Sequence, residues 1–282
     1  MSHLSDYQFQ SGSRSSHGVS NARQSAVVAA IALIIAIGAG YFVFLRGPRT
    51  GEKPAPATEP AAPAPAAASK SLGAAAEPIS LPPLADTDPL VRRLAGALSS
   101  HPRVAAWLAT SGLIRSFVVV VENVSDGPSP AKYLRVLRPA QPFRVINAQT
   151  APAIDPQSFA RYNSLADAVA SVDAAGSARL YATLKPRIEE AYSELGRQQS
   201  VDRAVERAIA ALLRVPVPTG TIRLEPAVKG IGYRYADPRL EGLSAAQKQL
   251  LRTGPRNTMI IQAKLREIAL ALGIAASRLP TP

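Results

Sequence analysis

Between residues 26 and 45 the chain reads AVVAAIALIIAIGAGYFVFL, with no charged position and no polar stripe. A bilayer core is about 30 Å thick and a helix rises about 1.5 Å per residue, so a run of this length just spans it. Arg23 precedes the run, Arg46 and Arg49 follow it, and Tyr41, Phe42 and Phe44 gather at one end, where aromatic rings suit the headgroup region. A core helix of a globular protein would carry a polar face. A signal peptide would have a shorter apolar stretch, of about 7–15 residues, and small residues at a cleavage site. The pattern therefore predicts one uncleaved transmembrane helix over 26–45. Ala32, Ala36 and Gly40 fall four apart, a spacing at which small residues let two spanning helices approach, so this face is a candidate for self-association.

The pattern on either side is different. Residues 1–25 are Ser-rich without apolar periodicity and read as a disordered tail. Residues 46–78 interleave Ala with Pro48, Pro54, Pro56, Pro60, Pro63, Pro65 and Pro78, a composition that favours an extended linker. From residue 79 to 282 the alternation becomes that of a globular domain.

Within that domain, Asp88–Pro89 reads as a helix cap with Leu90, Leu94 and Leu98 as the apolar stripe. A short helix follows Pro102, with Val104, Trp107 and Leu108 inward and Gly112 as its stop. Residues 113–124 have strand propensity in FVVVV but a helical face in Leu113, Ile114, Phe117, Val118, Val121 and Val124, and the periodicity predicts helix. Residues 128–154 read as a Pro-rich loop with a short strand at 143–146. Asp155–Pro156 opens a helical stretch, Asn163 is placed as the next cap, and Asp173 starts a longer helix with Leu180, Leu184, Ile188, Tyr192 and Leu195 on one face. In that helix Pro186 marks a kink or a first turn.

Val201, Val205, Ala208, Ile209, Leu212 and Leu213 form another amphipathic helix. Residues 221–225 and 231–235 alternate as two short strands, able to pair with each other or with 143–146. Asp237–Pro238 caps a short turn, Ser244 and Gln247 form a capping box, and Gly254–Pro255 starts a last helix buried through Ile261, Leu265, Ile268 and Leu272. The expected fold class is mainly α, with a small β-sheet or hairpin, behind one transmembrane helix and a Pro/Ala-rich linker.

The quoted blocks carry a resemblance. The stretch YRYADPRLEGLSAAQKQLLRTGPRNTMIIQAKLREIALALG from Tyr233 resembles the signature end of the domain-of-unknown-function family numbered 3014. LPPLADTDPLVRRLAGAL from Leu81 and LIRSFVVVVENV from Leu113 are similar to its beginning, and DPQSFARYNSLADAVASVDA from Asp155 and LYATLKPRIEEAYSELG from Leu180 to its middle. The resemblance implies a bacterial protein with an N-terminal membrane anchor. It implies no activity and no catalytic residues.

Composition narrows the chemistry. The chain has no cysteine, so disulfides and thiolate catalysis are excluded. Its histidines are His3, His17 and His101, too few in the domain for the usual zinc sites, and His101 before Pro102 reads as a helix start. No Gly-x-Ser-x-Gly elbow and no phosphate-cradling Gly loop occurs. Asp155, Asp237, Glu241 and Glu122 are the carboxylates that a hydrolase of an envelope polymer would draw on. No catalytic, cofactor-binding or metal-binding residue is assigned.

The net charge of +12 is the unusual property, and most of the excess lies after residue 78. Arg234, Lys248, Arg252 and Arg256 cluster in the signature stretch as a candidate anion- or partner-binding set, because arginine forks hold carboxylates and phosphates. The competing reading is solvated faces and internal ion pairs. The flanking charges of residues 26–45 nearly balance, so the spacer and the folded region behind it carry the expectation of an inner-membrane protein with its C-terminal domain outside the cytoplasm. That location argues against nucleic acid as the partner. The expected function is a membrane-anchored envelope protein whose domain binds an unknown protein or anionic envelope component, with the carboxylate hydrolase as the alternative.

Overall fold

The structure, a computed structural model, describes residues 71–148, 151–227 and 232–281. The expected tail, the span over 26–45 with Ala32, Ala36 and Gly40, and most of the linker lie outside the described residues. Among the described residues no single helix is long and apolar enough to cross a membrane.

Among the described residues ten α-helices and two antiparallel strand pairs follow one another. The first helices are α1 (Asp88–Gly96), α2 (Pro102–Leu108), α3 (Leu113–Asp126), α4 (Gln157–Ala160) and α5 (Asn163–Ala170). They are followed by α6 (Ala174–Ser193), α7 (Val201–Leu213), α8 (Pro238–Glu241), α9 (Ala245–Leu251) and α10 (Pro255–Ala271). The strands are β1 (Val145–Ala148), β2 (Ala151–Ile154), β3 (Leu224–Pro226) and β4 (Tyr233–Tyr235).

The core forms around α3 and α10. Helix α3 packs chiefly on α7 and α6, and α10 lies against α5, α6 and α7. The run with strand propensity is helical: Leu113, Ile114, Phe117, Val118, Val120, Val121 and Val124 are all buried. Tertiary burial on nearly every side outweighs the small helix penalty of β-branched residues. Phe117 meets Tyr181 of α6 edge to face, with ring centroids 6.1 Å apart.

Several local expectations change. Asp88 is the first residue of α1, yet its carboxylate accepts from the backbone N–H groups of Gly112 and Leu113, capping α3 across the turn. Arg92, one turn along, pairs with Asp88 at 3.5 Å and donates to the carbonyls of Leu108 and Thr110 where α2 ends. Asp and Arg thus hold both ends of the α2–α3 turn, a long-range use of a residue that local sequence reads as its own helix's cap. Asn163 is not a cap; Tyr162 holds that position and the Asn163 amide oxygen faces Asn257. Leu195 lies beyond the end of α6 and is exposed, and Pro186 stands inside that helix.

The Pro-rich 128–154 region contains two short 3-10 turns and two antiparallel strands. Strand β1 is shifted from 143–146 to Val145–Ala148 and pairs antiparallel with β2, whose Pro152 disguised it in the sequence. Strands β3 and β4 pair with each other. A single bridge between Ala153 and Arg223, with the Ile154 N–H donating to the Ile222 carbonyl, ties the strand pairs through β2 rather than β1.

Packing also begins upstream of residue 79. Leu72 is buried, and the backbone N–H groups of Leu72, Gly73, Ala74 and Glu77 donate to Asp202, Leu272, Ala178 and Thr183 respectively. This strap lies across α6, α7 and the end of α10.

Candidate functional site

The signature stretch folds into a bent α9–α10 unit around the turn 252–255. Gly254 takes φ +87°, and a Cβ there would stand 2.4 Å from the Phe159 ring. The turn therefore sits directly under the end of α4. Asn257, buried in the first turn of α10, sends its amide NH2 toward the carbonyls of Phe159 (3.1 Å) and Thr253 (2.9 Å) and toward Asn163 Oδ1 (3.0 Å). Thr253 and Thr258, both buried, donate to the Leu250 carbonyl at 2.7 and 3.2 Å. These bonds satisfy polar groups that would otherwise be costly inside the domain. They also lock the segment FARYN to the segment RTGPRN.

The turns that carry Arg161 and Arg252 are thereby held side by side through Asn257. Arg161 follows α4, and its Nε and Nη1 donate to the carbonyls of Ser158 (2.8 Å) and Gln141 (3.2 Å). Its guanidinium lies 5.0 Å from the centre of the Tyr162 ring and 5.5 Å from that of Phe143. Burial pushes Arg161 below the usual guanidinium value, and the nearby charge of Arg252 pushes in the same direction. Arg252 is half-buried behind α9, and its positive charge acts on Tyr235 of β4 against the effect of burial. Burial holds Tyr235 up at about 12, so its hydroxyl stays protonated at any physiological pH. Among the described residues neither Arg161 nor Arg252 forms an ion pair with a carboxylate.

The other members of the expected basic set are engaged within the fold. Arg234 pairs with Glu225 across the β3–β4 pair at 2.5 Å, and Lys248 Nζ lies 2.6 Å from Glu241. Arg256 stands 3.6 Å from Asp167 and donates to Asn257 Oδ1 at 3.0 Å. Of the four, Arg252 alone combines partial burial with no carboxylate partner among the described residues. Arg161 was absent from the set because it lies far away in sequence. The only local signal was an Arg-Tyr-Asn triplet beginning two residues after Phe159.

The four candidate carboxylates are likewise occupied. Asp155 and Asp237 accept from the N–H groups of Gln157 and Arg239, at 2.8 and 2.9 Å, as helix-start residues do. Glu241 accepts from Lys248 and from the Tyr235 N–H; burial opposes its ionisation, but these partners outweigh burial and hold the carboxyl below its ordinary value. Glu122 is buried on α3 and takes Tyr192 Oη at 2.7 Å and Arg197 Nε at 2.6 Å. His101 accepts from the Arg103 N–H at the start of α2. Among the described residues no group of three or more His, Asp or Glu side chains is arranged to hold a metal ion.

A cleft of about 390 Å³ opens elsewhere, lined by Leu72, Asp202, Arg203, Glu206, Arg207 and Arg278. Its charges are mostly spoken for: Arg278 meets Glu206, and Asp202 takes Lys185, Tyr181 and the Leu72 N–H.

A family model described as "Protein of unknown function (DUF3014)" matches residues 113–269. The chain belongs to this family. The DUF3014 match includes Arg161, Tyr162, Tyr235 and Arg252, while the strap and α1–α2 precede it. No curated protein and no solved structure matches the chain.

Proposed function

We propose that this protein is a single-pass, membrane-anchored envelope component whose tethered DUF3014 domain binds an anionic partner at the Arg161–Arg252 face. The observation that carries the reading is that two half-buried arginines, on turns held side by side through Asn257, have no carboxylate partner among the described residues. Like charges placed together in a partly desolvated setting raise the free energy of the empty site, and an anion relieves that cost.

The layout favours a partner away from the anchor. Helix α10 begins at the arginine face and ends where Gly73 N–H meets the Leu272 carbonyl. Its 17 residues separate the two ends by about 25 Å, at about 1.5 Å per residue. The chain leading to residues 26–45 thus enters at the end of α10 remote from the site.

The test has two arms. Reporter fusions at the C-terminus of the intact chain should be active outside the cytoplasm and silent inside it. The detergent-solubilised chain should retain fluorescent polyglutamate at low salt and release it as salt rises. Arg161→Gln with Arg252→Gln should remove that retention. Retention that ignores both substitutions would sink the assignment of this face.

A further inference from the structure

Resting on the reading that the domain takes an anionic partner, the geometry points to strand β1 as the edge where an extended acidic polypeptide segment is added as a further strand. In the β1–β2 pair, Val145 stands opposite Ile154 and Asn147 opposite Pro152. The Ile154 N–H donates to the Ile222 carbonyl at 3.0 Å, away from β1. Val145, its partner, therefore turns its own N–H and C=O away from β2. Asn147, two residues on, does the same, and Pro152 opposite it has no N–H to give. Among the described residues nothing bonds these outward groups, and β1 has a strand on one side alone. The start of the edge is fixed: Ser158 Oγ accepts from the Arg144 N–H at 2.8 Å and donates to the Arg144 carbonyl at 3.1 Å. Ser158 also ties the edge to the arginine face, because Arg161 donates to its carbonyl and to that of Gln141, just upstream of β1.

The charge along this segment selects the partner. From Gly127 to Ile154 the chain has no Asp or Glu. Its cations, Lys132, Arg135, Arg138 and Arg144, are all exposed, and none forms an ion pair among the described residues. Asp155, whose N–H donates to the Arg144 carbonyl, turns its carboxylate to the Gln157 N–H instead. Arg144 and Ile146, two residues apart, share one face of the strand, and Ile146 is 41% exposed there. A second copy of this edge would bring another basic, acid-free segment with it, whereas an acidic strand brings carboxylates. A bare anionic polymer would answer the cations but leave the outward backbone groups and Ile146 unused. An added strand uses all three: main-chain bonds to Val145 and Asn147, a carboxylate beside Arg144 and an apolar side chain beside Ile146.

The decisive experiment titrates the full chain in detergent with a fluorescent peptide, Val-Thr-Glu-Thr repeated twice, and follows its anisotropy. Val and Glu share one face of this strand, so the Thr amides are those that point at β1. N-methylation of the Thr amides should weaken binding by about tenfold or more, while N-methylation of the Val and Glu amides should change it by less than about twofold. Asn147→Pro removes an outward N–H at a place where an edge strand tolerates proline, and should weaken the peptide by about tenfold without lowering the melting temperature. Arg144→Gln should weaken it several-fold and flatten its salt dependence. Equal binding of the two methylated peptides would overturn the added strand, as would undiminished binding in Asn147→Pro. Polyglutamate or dextran sulfate held more tightly than the peptide would overturn it in favour of a bare polyanion. A parent dimer that Asn147→Pro turns into a monomer in sedimentation would assign the edge to a second copy and overturn it too. If the peptide fails to bind while polyglutamate retention still depends on Arg161 and Arg252, the added strand falls and the wider anion reading stands. If neither is bound, both fall.

Discussion

Gly254 shows how much a single position can fix. Its φ of +87° lies in the left-handed region, and the Phe159 ring occupies the space a side chain would need. Gly196 also has positive φ, +70°, but nothing lies within 4 Å of the place its Cβ would take. The two glycines therefore separate backbone strain from steric contact. Gly196→Ala should cost only about 1 kcal/mol, the usual penalty for placing Ala at positive φ. Gly254→Ala should cost about 3 kcal/mol or more, because the ring and the α4–α5 turn must also move. Denaturant unfolding of both variants checks this, and equal losses would show that Phe159 does not constrain the turn. The same contact bears on function: a displaced Phe159 carries Arg161 away from Arg252, so Gly254→Ala should also weaken polyglutamate retention.

At the level of elements, helices were legible where capping and periodicity coincided. Helix α9 has its Ser244–Gln247 capping box, with both reciprocal bonds present, and α10 starts at Gly254–Pro255. Asp173, Ser200 and Asp237 cap their own helices through the N–H two residues on. What sequence hid was the use of a polar residue over distance. Asp88 looks like a local cap and serves α3; Asn163 looks like a cap and serves Asn257. Strand β2 was hidden because Pro152 breaks the usual strand signal, and Arg161 because no local pattern links it to Arg252. Strand β4, α8 and α9 meet at Glu241, and this junction has a pH signature. The folded-state carboxyl of Glu241 is held below its ordinary value of 4.5, so its contribution to stability is present above that value. It is lost as the pH falls through the lower folded-state value. Glu241→Gln should accordingly flatten the acid limb of the stability–pH curve below pH 4.5 while changing its neutral part less. An acid limb of unchanged slope in the variant would show that Lys248 and the Tyr235 N–H do not favour the charged form.

On the scale of the whole molecule, the strap decides how the domain is connected to what precedes it. The apolar anchor of this attachment is Leu72, and its polar anchor is Asp202, 17% exposed at its side chain. The Asp202 carboxylate accepts from Leu72 N–H at 3.1 Å, from Tyr181 Oη at 2.6 Å and from Lys185 Nζ at 2.5 Å. Burial, with Asp202 adding to it, pushes the Tyr181 phenol well above its usual value, so Tyr181 remains a donor. Lys185 also reaches Ser71. One carboxylate therefore joins α6, α7 and the strap. Asp202→Ala leaves a cation, a hydroxyl and a backbone N–H without their acceptor, and should cost about 3 kcal/mol. The loss should be local before it is global. Hydrogen exchange at the amides of Leu72, Gly73, Ala74 and Glu77 should accelerate strongly in Asp202→Ala, while the amides of the buried α3 helix keep their protection. Thr183→Val, which removes the acceptor of the Glu77 N–H, should loosen only the C-terminal part of the strap. If the strap amides exchange in Asp202→Ala as they do in the parent, Asp202 is not its anchor. If they exchange freely in the parent as well, the chain ahead of residue 79 is a tether up to the first helix, and the arginine face has no fixed orientation relative to its attachment.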